Sequence, residues 1–176
     1  MRRLAKISII ALGLVMMASF LPSFAEDGYK FVQLEHTRDF AAAGSENRQQ
    51  GRAMLLMFSG AHCRYCHAIE EDFLKPMLRS GEYDALISMH KIDLYSDDEV
   101  VGFDGQPIRI PELARRYEVF VMPTLLFVDD QGREVGERRI GLTTPGLYGG
   151  YLDASIQAAV SAVRRQGTQQ ISLLRE

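Results

Sequence analysis

The sequence predicts an α/β fold in which a central mixed sheet carries helices on both faces. Three observations lead there. Ala53–Phe58 and Thr124–Val128 are short apolar runs of the kind that strands covered on both faces show. Segments of helical spacing lie between the strand-like runs, and the whole order reads β–α–β–α–β–β–α. Glu134–Ile140 follows Thr124–Val128 across Asp129-Asp130-Gln131-Gly132, a turn sequence that makes this last pair antiparallel.

Composition sets the outer bounds. A chain of 176 residues holds one domain with a single core. At 47% hydrophobic and 24% charged residues it is globular, neither disordered nor collagen-like. A net charge of −3 offers no basic field to hold nucleic acid. Two cysteines are too few for a disulfide-stapled miniature scaffold.

The amino terminus reads as an address. Arg2, Arg3 and Lys6 precede an apolar stretch from Ile7 to Leu21; Pro22 breaks it, and Ser23-Phe24-Ala25 supplies small residues for a peptidase site. Charged start, apolar middle and small-residue end define a secretory signal, here residues 1–25. The expected mature chain starts at Glu26, is more acidic for the loss of three cations, and sits in the periplasm. The folded domain is expected over 26–164, with a polar, frayed tail over 165–176.

Within the domain, Tyr29 to Leu34 is read as an edge strand and Asp39-Phe40-Ala41-Ala42-Ala43 as a helix start capped by Thr37 or Asp39. Gly44 to Gly51 is polar and reads as a loop. Ala53–Phe58, ended by Ser59-Gly60, is a buried strand. The next helix carries Ile69, Phe73 and Leu74 on one face, and Pro76 is expected to kink or end it. Leu86 to Leu94 is a second buried strand. Val100–Phe103 and Gln106–Ile110 flank Asp104-Gly105 as a hairpin. Pro111 opens a helix to about Tyr117. Tyr148, Tyr151, Leu152, Ile156, Ala159, Val160 and Val163 recur at helical spacing and form the closing helix.

His62-Cys63-Arg64-Tyr65-Cys66-His67 stands where the first buried strand meets its helix. In an exported chain a disulfide closing so small a loop restrains little of the unfolded state, so chemistry explains the pair better than stapling. Unpaired N–H groups and the dipole at a helix start stabilise a thiolate. Cys63 is then the outer, attacking cysteine. Cys66, one turn further in, resolves the mixed disulfide. Arg64 and His62 add positive charge that favours the thiolate. Two other readings use the same letters. Cys63-x-x-Cys66-His67 satisfies the pattern for covalent haem attachment, with Met77, Met89 or Met122 as second axial ligand. His62, Cys63, Cys66 and His67 form a set of soft ligands for copper or zinc, although ligands so close in sequence strain the geometry.

Val121-Met122-Pro123-Thr124 precedes the later strand. A cis Met122–Pro123 bond beside the dithiol would leave the Met122 backbone free to pair with a substrate strand. His36 and His90 read as surface or strand-edge histidines, Asp97-Asp98-Glu99 as a solvated turn, and Tyr148 and Tyr151 as packing residues.

Strand, C-x-x-C, helix, then Met-Pro-Thr-Leu-Leu-Phe and the Gly132 turn resemble the thioredoxin superfamily over roughly Phe31 to Val163. Within it, Phe103-Asp104-Gly105 followed by Glu112-Leu113-Ala114-Arg115-Arg116-Tyr117 resembles the exported thioredoxin-related proteins of the sulfur-oxidation type. The resemblance implies a thioredoxin-like fold with Cys63 attacking, Cys66 resolving and Pro123 as the cis-proline. It places Lys91 behind the active site and Gly141 near the substrate groove. Two departures stand out. His62, Arg64 and Tyr65 replace the usual tryptophan, glycine and proline. The buried aspartate expected six positions before the first cysteine is Met57, so its part as proton acceptor passes to water, Lys91, His67 or Glu70. The expected activity is reduction of disulfides in exported cysteine-containing proteins by a monomer. A membrane thiol donor supplies the electrons, and no cofactor is needed beyond the Cys63–Cys66 redox pair and no metal. The same fold also serves thiol oxidants and isomerases.

Overall fold

Four strands make the central sheet of the computed structural model, which describes residues 31–173, with side chains described as far as 169. They are β1 (Ala53–Ser59), β2 (Ile87–Asp93), β5 (Thr124–Val128) and β6 (Arg139–Ile140), in the order β2-β1-β5-β6. β1 runs parallel to β2 and antiparallel to β5, and β5 runs antiparallel to β6, so the sheet is mixed. β3 (Glu99–Val101) and β4 (Pro107–Arg109) form a separate hairpin around Asp104-Gly105.

All seven residues of β1 are buried because both sheet faces are covered. Alternation along β1 divides them. Leu55 and Met57 face a core shared with α2 (Arg64–Ile69), α3 (Lys75–Ser80) and α5 (Pro145–Leu173), where they meet Ile69, Tyr148, Leu152 and Ile156. Met54, Leu56 and Phe58 face a second core with α1 (Phe40–Gln50), α4 (Ile110–Arg116) and the hairpin, including Phe40, Ile108 and Leu113. The expected fold class is therefore found, with a core on each face of the sheet.

Several expectations need correction. Residues 31–34 form no strand; the segment touches the sheet through a single bridge, Glu35 to His90, on the edge of β2. Gly44 to Gln50 is helix and not loop. Asp39 caps α1 by accepting from the Ala42 N–H at 2.8 Å, and Gly51 ends it with φ 63°. Polarity misled here because Asn47 is buried and donates to Ser88 Oγ at 2.7 Å. Pro76 does not break the helix after Cys66. A π-helical turn, Glu70–Leu74, precedes it, and α3 continues to Ser80 with Gly81 at φ 72° as its end. The strand expected over Glu134–Ile140 shrinks to β6 plus one bridge, Val128 to Glu134. His90 is only 2% exposed, not at the surface: its ring bonds Thr37 Oγ1 and, at 2.9 Å, Ser88 Oγ. The segment after Arg164 continues α5 to Leu173. The signal-sequence reading and residues Tyr29 and Lys30 lie outside the described residues.

Candidate active site

β1 ends against Gly60, and the chain turns through Ala61-His62 into Cys63. The Cys63 N–H donates to Gly60 O at 3.1 Å. Cys63 has extended backbone angles and is the N-cap of α2; its Sγ accepts the Cys66 N–H at 3.1 Å. The sulfurs of Cys63 and Cys66 are joined as a disulfide with Cα atoms 5.2 Å apart. Cys63 is half-buried and Cys66 is 1% exposed, packed in the core with Met57 and Ile69. The two sulfurs therefore differ in access: Cys63 is partly open to solvent and Cys66 is not. An N-cap position also supplies the donor that holds a Cys63 thiolate once the bond is reduced.

The Met122–Pro123 peptide bond is cis. Pro123 is buried, its carbonyl accepts the Gly141 N–H at 2.8 Å, and Gly141 has φ 72°. Thr124 Oγ1 donates to Val121 O at 2.8 Å, fixing the turn into β5. Met122 packs on the loop that carries Cys63: a Cβ on Gly60 would stand 2.8 Å from Met122 Sδ and 3.1 Å from the Tyr95 ring. A side chain at position 60 would have to push the Met122 thioether aside.

The structure separates the remaining named residues. Arg64 is exposed and lies over the Tyr65 ring, its guanidinium carbon 5.1 Å from the centroid. His62 is exposed. His67 is exposed too and faces Glu71 at 3.9 Å. Lys91 behaves differently. It sits opposite Met57 in the β1–β2 register, and its Nζ donates to Glu70 Oε2 at 2.6 Å. Lys75 Nζ stands 3.6 Å from the other Glu70 oxygen and is held by Glu71, whose carboxylate it keeps below the usual range. Among the described residues no three His, Cys, Asp or Glu side chains converge as a metal group.

Tyr95 and Phe120 escaped the sequence reading, and Val121 entered it only as the residue before Met122-Pro123. Exposed at 74%, 74% and 53%, they rim the same end of the sheet with Tyr65. An aromatic residue just after a strand and an apolar pair just before Met122-Pro123 were the available signals. A cleft of about 670 Å³ lies elsewhere, between Glu35, Thr37, Asn47, Arg52 and His90, and no lining residue belongs to the Cys63 or Met122 loops.

No curated protein matches the chain. Solved structures do resemble it. The thioredoxin of Malassezia sympodialis is 16% identical, with 75% of this chain and 98% of that one covered and a TM-score of 0.49. The thioredoxin of Fasciola hepatica is 22% identical, with 70% and 97% covered and a TM-score of 0.46. A thioredoxin-fold protein of Helicobacter pylori is 20% identical, with 68% and 86% covered and a TM-score of 0.44. The family model described as a thioredoxin-like domain matches residues 40–155, a span that holds both cysteines, the cis-proline and every strand of the sheet. With a disulfide-forming pair at the head of its helix and a family match over most of its length, this chain belongs to the thioredoxin-like family and has the site of a thiol–disulfide oxidoreductase.

Proposed function

We propose that the protein is an exported thiol–disulfide oxidoreductase that reduces disulfides of other exported proteins. The observation that carries this reading is the unequal burial of the joined pair, Cys63 at the rim and Cys66 beneath it. In the dithiol form, the Cys63 thiolate attacks a substrate sulfur, forms a mixed disulfide and expels one substrate thiolate. Cys66 then attacks Cys63 Sγ, the second substrate thiolate leaves, and the Cys63–Cys66 bond forms. Two electrons have moved to the substrate. A membrane-bound thiol donor returns them by the same exchange in reverse.

Exposed Tyr65, Tyr95, Phe120 and Val121 around the pair favour a polypeptide over a small thiol as substrate. The charged, apolar and small-residue order of residues 1–25 supports export to the periplasm, and the Phe103-Asp104-Gly105 resemblance supports substrates of the sulfur-carrier or apocytochrome kind. The test is the intact mass of protein made in an exporting bacterium, acid-quenched and alkylated before purification. Two alkyl groups on a chain starting at Glu26 are expected. An unalkylated disulfide form overturns the reducing direction, and a chain that keeps Met1 overturns cleavage of the signal.

A further inference from the structure

Arg64 follows Cys63 directly and opens α2, so the Cα atoms of the two residues stand about 3.8 Å apart. Its side chain is exposed. The guanidinium carbon lies 5.1 Å from the Tyr65 ring centroid, and Nη2 donates to Tyr65 Oη at 3.4 Å, a weak bond. A guanidinium carries five N–H donors in a planar fork. The bond to Tyr65 uses one of them, and no carboxylate among the described residues pairs with the rest.

A second ring-stacked arginine shows what such a group takes. Arg139 lies over the Tyr151 ring at 5.7 Å, and from there it donates Nη2 to Glu137 Oε2 at 3.1 Å and Nε to Ser155 Oγ at 2.9 Å. Stacking engages the face of the guanidinium and leaves its edge for oxygen acceptors. Arg64 has the same platform without the carboxylate. The acids of its own helix are committed elsewhere, Glu70 to Lys91 and Glu71 to Lys75. They also begin six residues on, about 9 Å along the axis, which exceeds the Debye length of ~8 Å at physiological salt. Beside Cys63 the chain thus places an uncompensated cation, although its net charge is −3.

We infer that Arg64 is a subsite for a carboxylate of the substrate, with Tyr65 as its positioning residue, and that the protein acts on disulfides flanked by acidic residues; the inference rests on the oxidoreductase reading above. When the Cys63 thiolate lines up on a substrate sulfur, an aspartate or glutamate one or two residues from that sulfur comes within reach of the guanidinium. The Arg64 N–H groups donate to its oxygens in a charge-assisted pair. The ring beneath the guanidinium narrows its conformations before the substrate arrives, so less freedom is lost on docking. A lysine at the same place on a substrate meets a like charge and is turned away.

The test uses two synthetic peptides of one sequence with an internal disulfide, flanked by glutamates in one and by lysines in the other. The full-length dithiol protein is mixed with each, and the readout is the ratio of the second-order rate constants, acidic over basic. A change in the thiolate fraction of Cys63 multiplies both constants alike, so the ratio separates docking from activation of the thiol. Arg64→Gln should lower the ratio about fivefold, as expected of an exposed ion pair. Arg64→Lys should still prefer the acidic peptide, and Arg64→Glu should prefer the basic one. Tyr65→Phe should keep the ratio and Tyr65→Leu should lower it; equal loss in both overturns the part given to the ring. In 1 M salt, where the Debye length is about 3 Å, the wild-type ratio should fall towards that of Arg64→Gln. A ratio that neither Arg64→Gln nor salt changes overturns the inference. A wild-type protein that reduces neither peptide overturns the oxidoreductase reading itself.

Discussion

Cys63 and Cys66 are joined through their sulfurs, yet the first is half-buried and the second only 1% exposed. Cys63→Ser should abolish reduction of a model disulfide protein such as insulin. Cys66→Ser should accumulate mixed disulfides, visible as gel-shifted adducts that a reductant removes; normal turnover by that variant would refute the two-step exchange. Tyr148 is a second residue with a definite outcome. It is 1% exposed and packs on Phe73 with ring centroids 5.0 Å apart, but its hydroxyl has no hydrogen-bond partner. Burial pushes its pKa from 10.0 up to about 12. The folded value is raised, so the stability linked to this group is full below the unfolded value and is lost as pH climbs through the window from 10.0 to about 12. Tyr148→Phe should remove that alkaline loss. At neutral pH it should change stability by no more than about 1 kcal/mol, in the stabilising direction, because the unpaired buried hydroxyl goes and the ring remains. Denaturant melts at neutral and alkaline pH read both effects.

At the scale of elements, α1 owes its position to close approach. A Cβ on Gly44 would lie 2.3 Å from Asp130 O in the turn after β5, and that backbone cannot give way cheaply. Gly44→Ala should therefore destabilise by roughly 1–3 kcal/mol, although alanine is the better helix former. A thermal melt that rises would contradict the contact. The segment before α1 depends on His90. Two backbone bonds lay it along β2, Glu35 N–H to Met89 O at 3.3 Å and Lys91 N–H to Glu35 O at 2.8 Å, and the imidazole adds the bond to Thr37. Burial lowers the His90 pKa from 6.5; the Glu35 carboxylate 3.6 Å away pulls the other way but is largely exposed and loses. With a depressed folded value, the native state is at full strength above 6.5 and loses stability as pH falls towards the lowered one. His90→Gln should flatten the acid limb of a stability-against-pH curve, read by denaturant midpoints. An unchanged limb would move the acid sensitivity to other groups.

For the molecule as a whole, the disulfide end of the sheet carries several exposed apolar side chains. Tyr95, Phe120 and Val121 come from the ends of β2 and the approach to β5, while Tyr65 comes from α2. If they seat a polypeptide, the double change Tyr95→Ala, Phe120→Ala should lower kcat/KM on a protein disulfide about tenfold, since each buried aromatic contributes on the order of 1 kcal/mol or more. The same variant should leave the rate with a small aromatic disulfide unchanged. Equal losses on both substrates would assign these rings to the fold and not to docking.

The two cysteines, their place between strand and helix, and the later proline are local patterns, and the sequence by itself determined them together with the α/β order of elements. Apolar runs at β1 and β5 were legible because burial on both faces demands an unbroken apolar run, and Asp-Gly and Asp39 were legible because turns and caps are satisfied by near neighbours. What failed depended on partners far along the chain. Asn47 is polar yet buried, because Ser88 meets it. His90 is buried because Thr37 and Ser88 satisfy both ring nitrogens. The π-helical turn just before Pro76 is a local exception. Glu70 is buried with Lys91, twenty-one residues away, bonded to its carboxylate. Local patterns fix which elements form and where a reactive pair stands. Which polar groups are buried, and which of them face one another, is decided only when distant segments pack, because a buried charge or amide persists only with a partner.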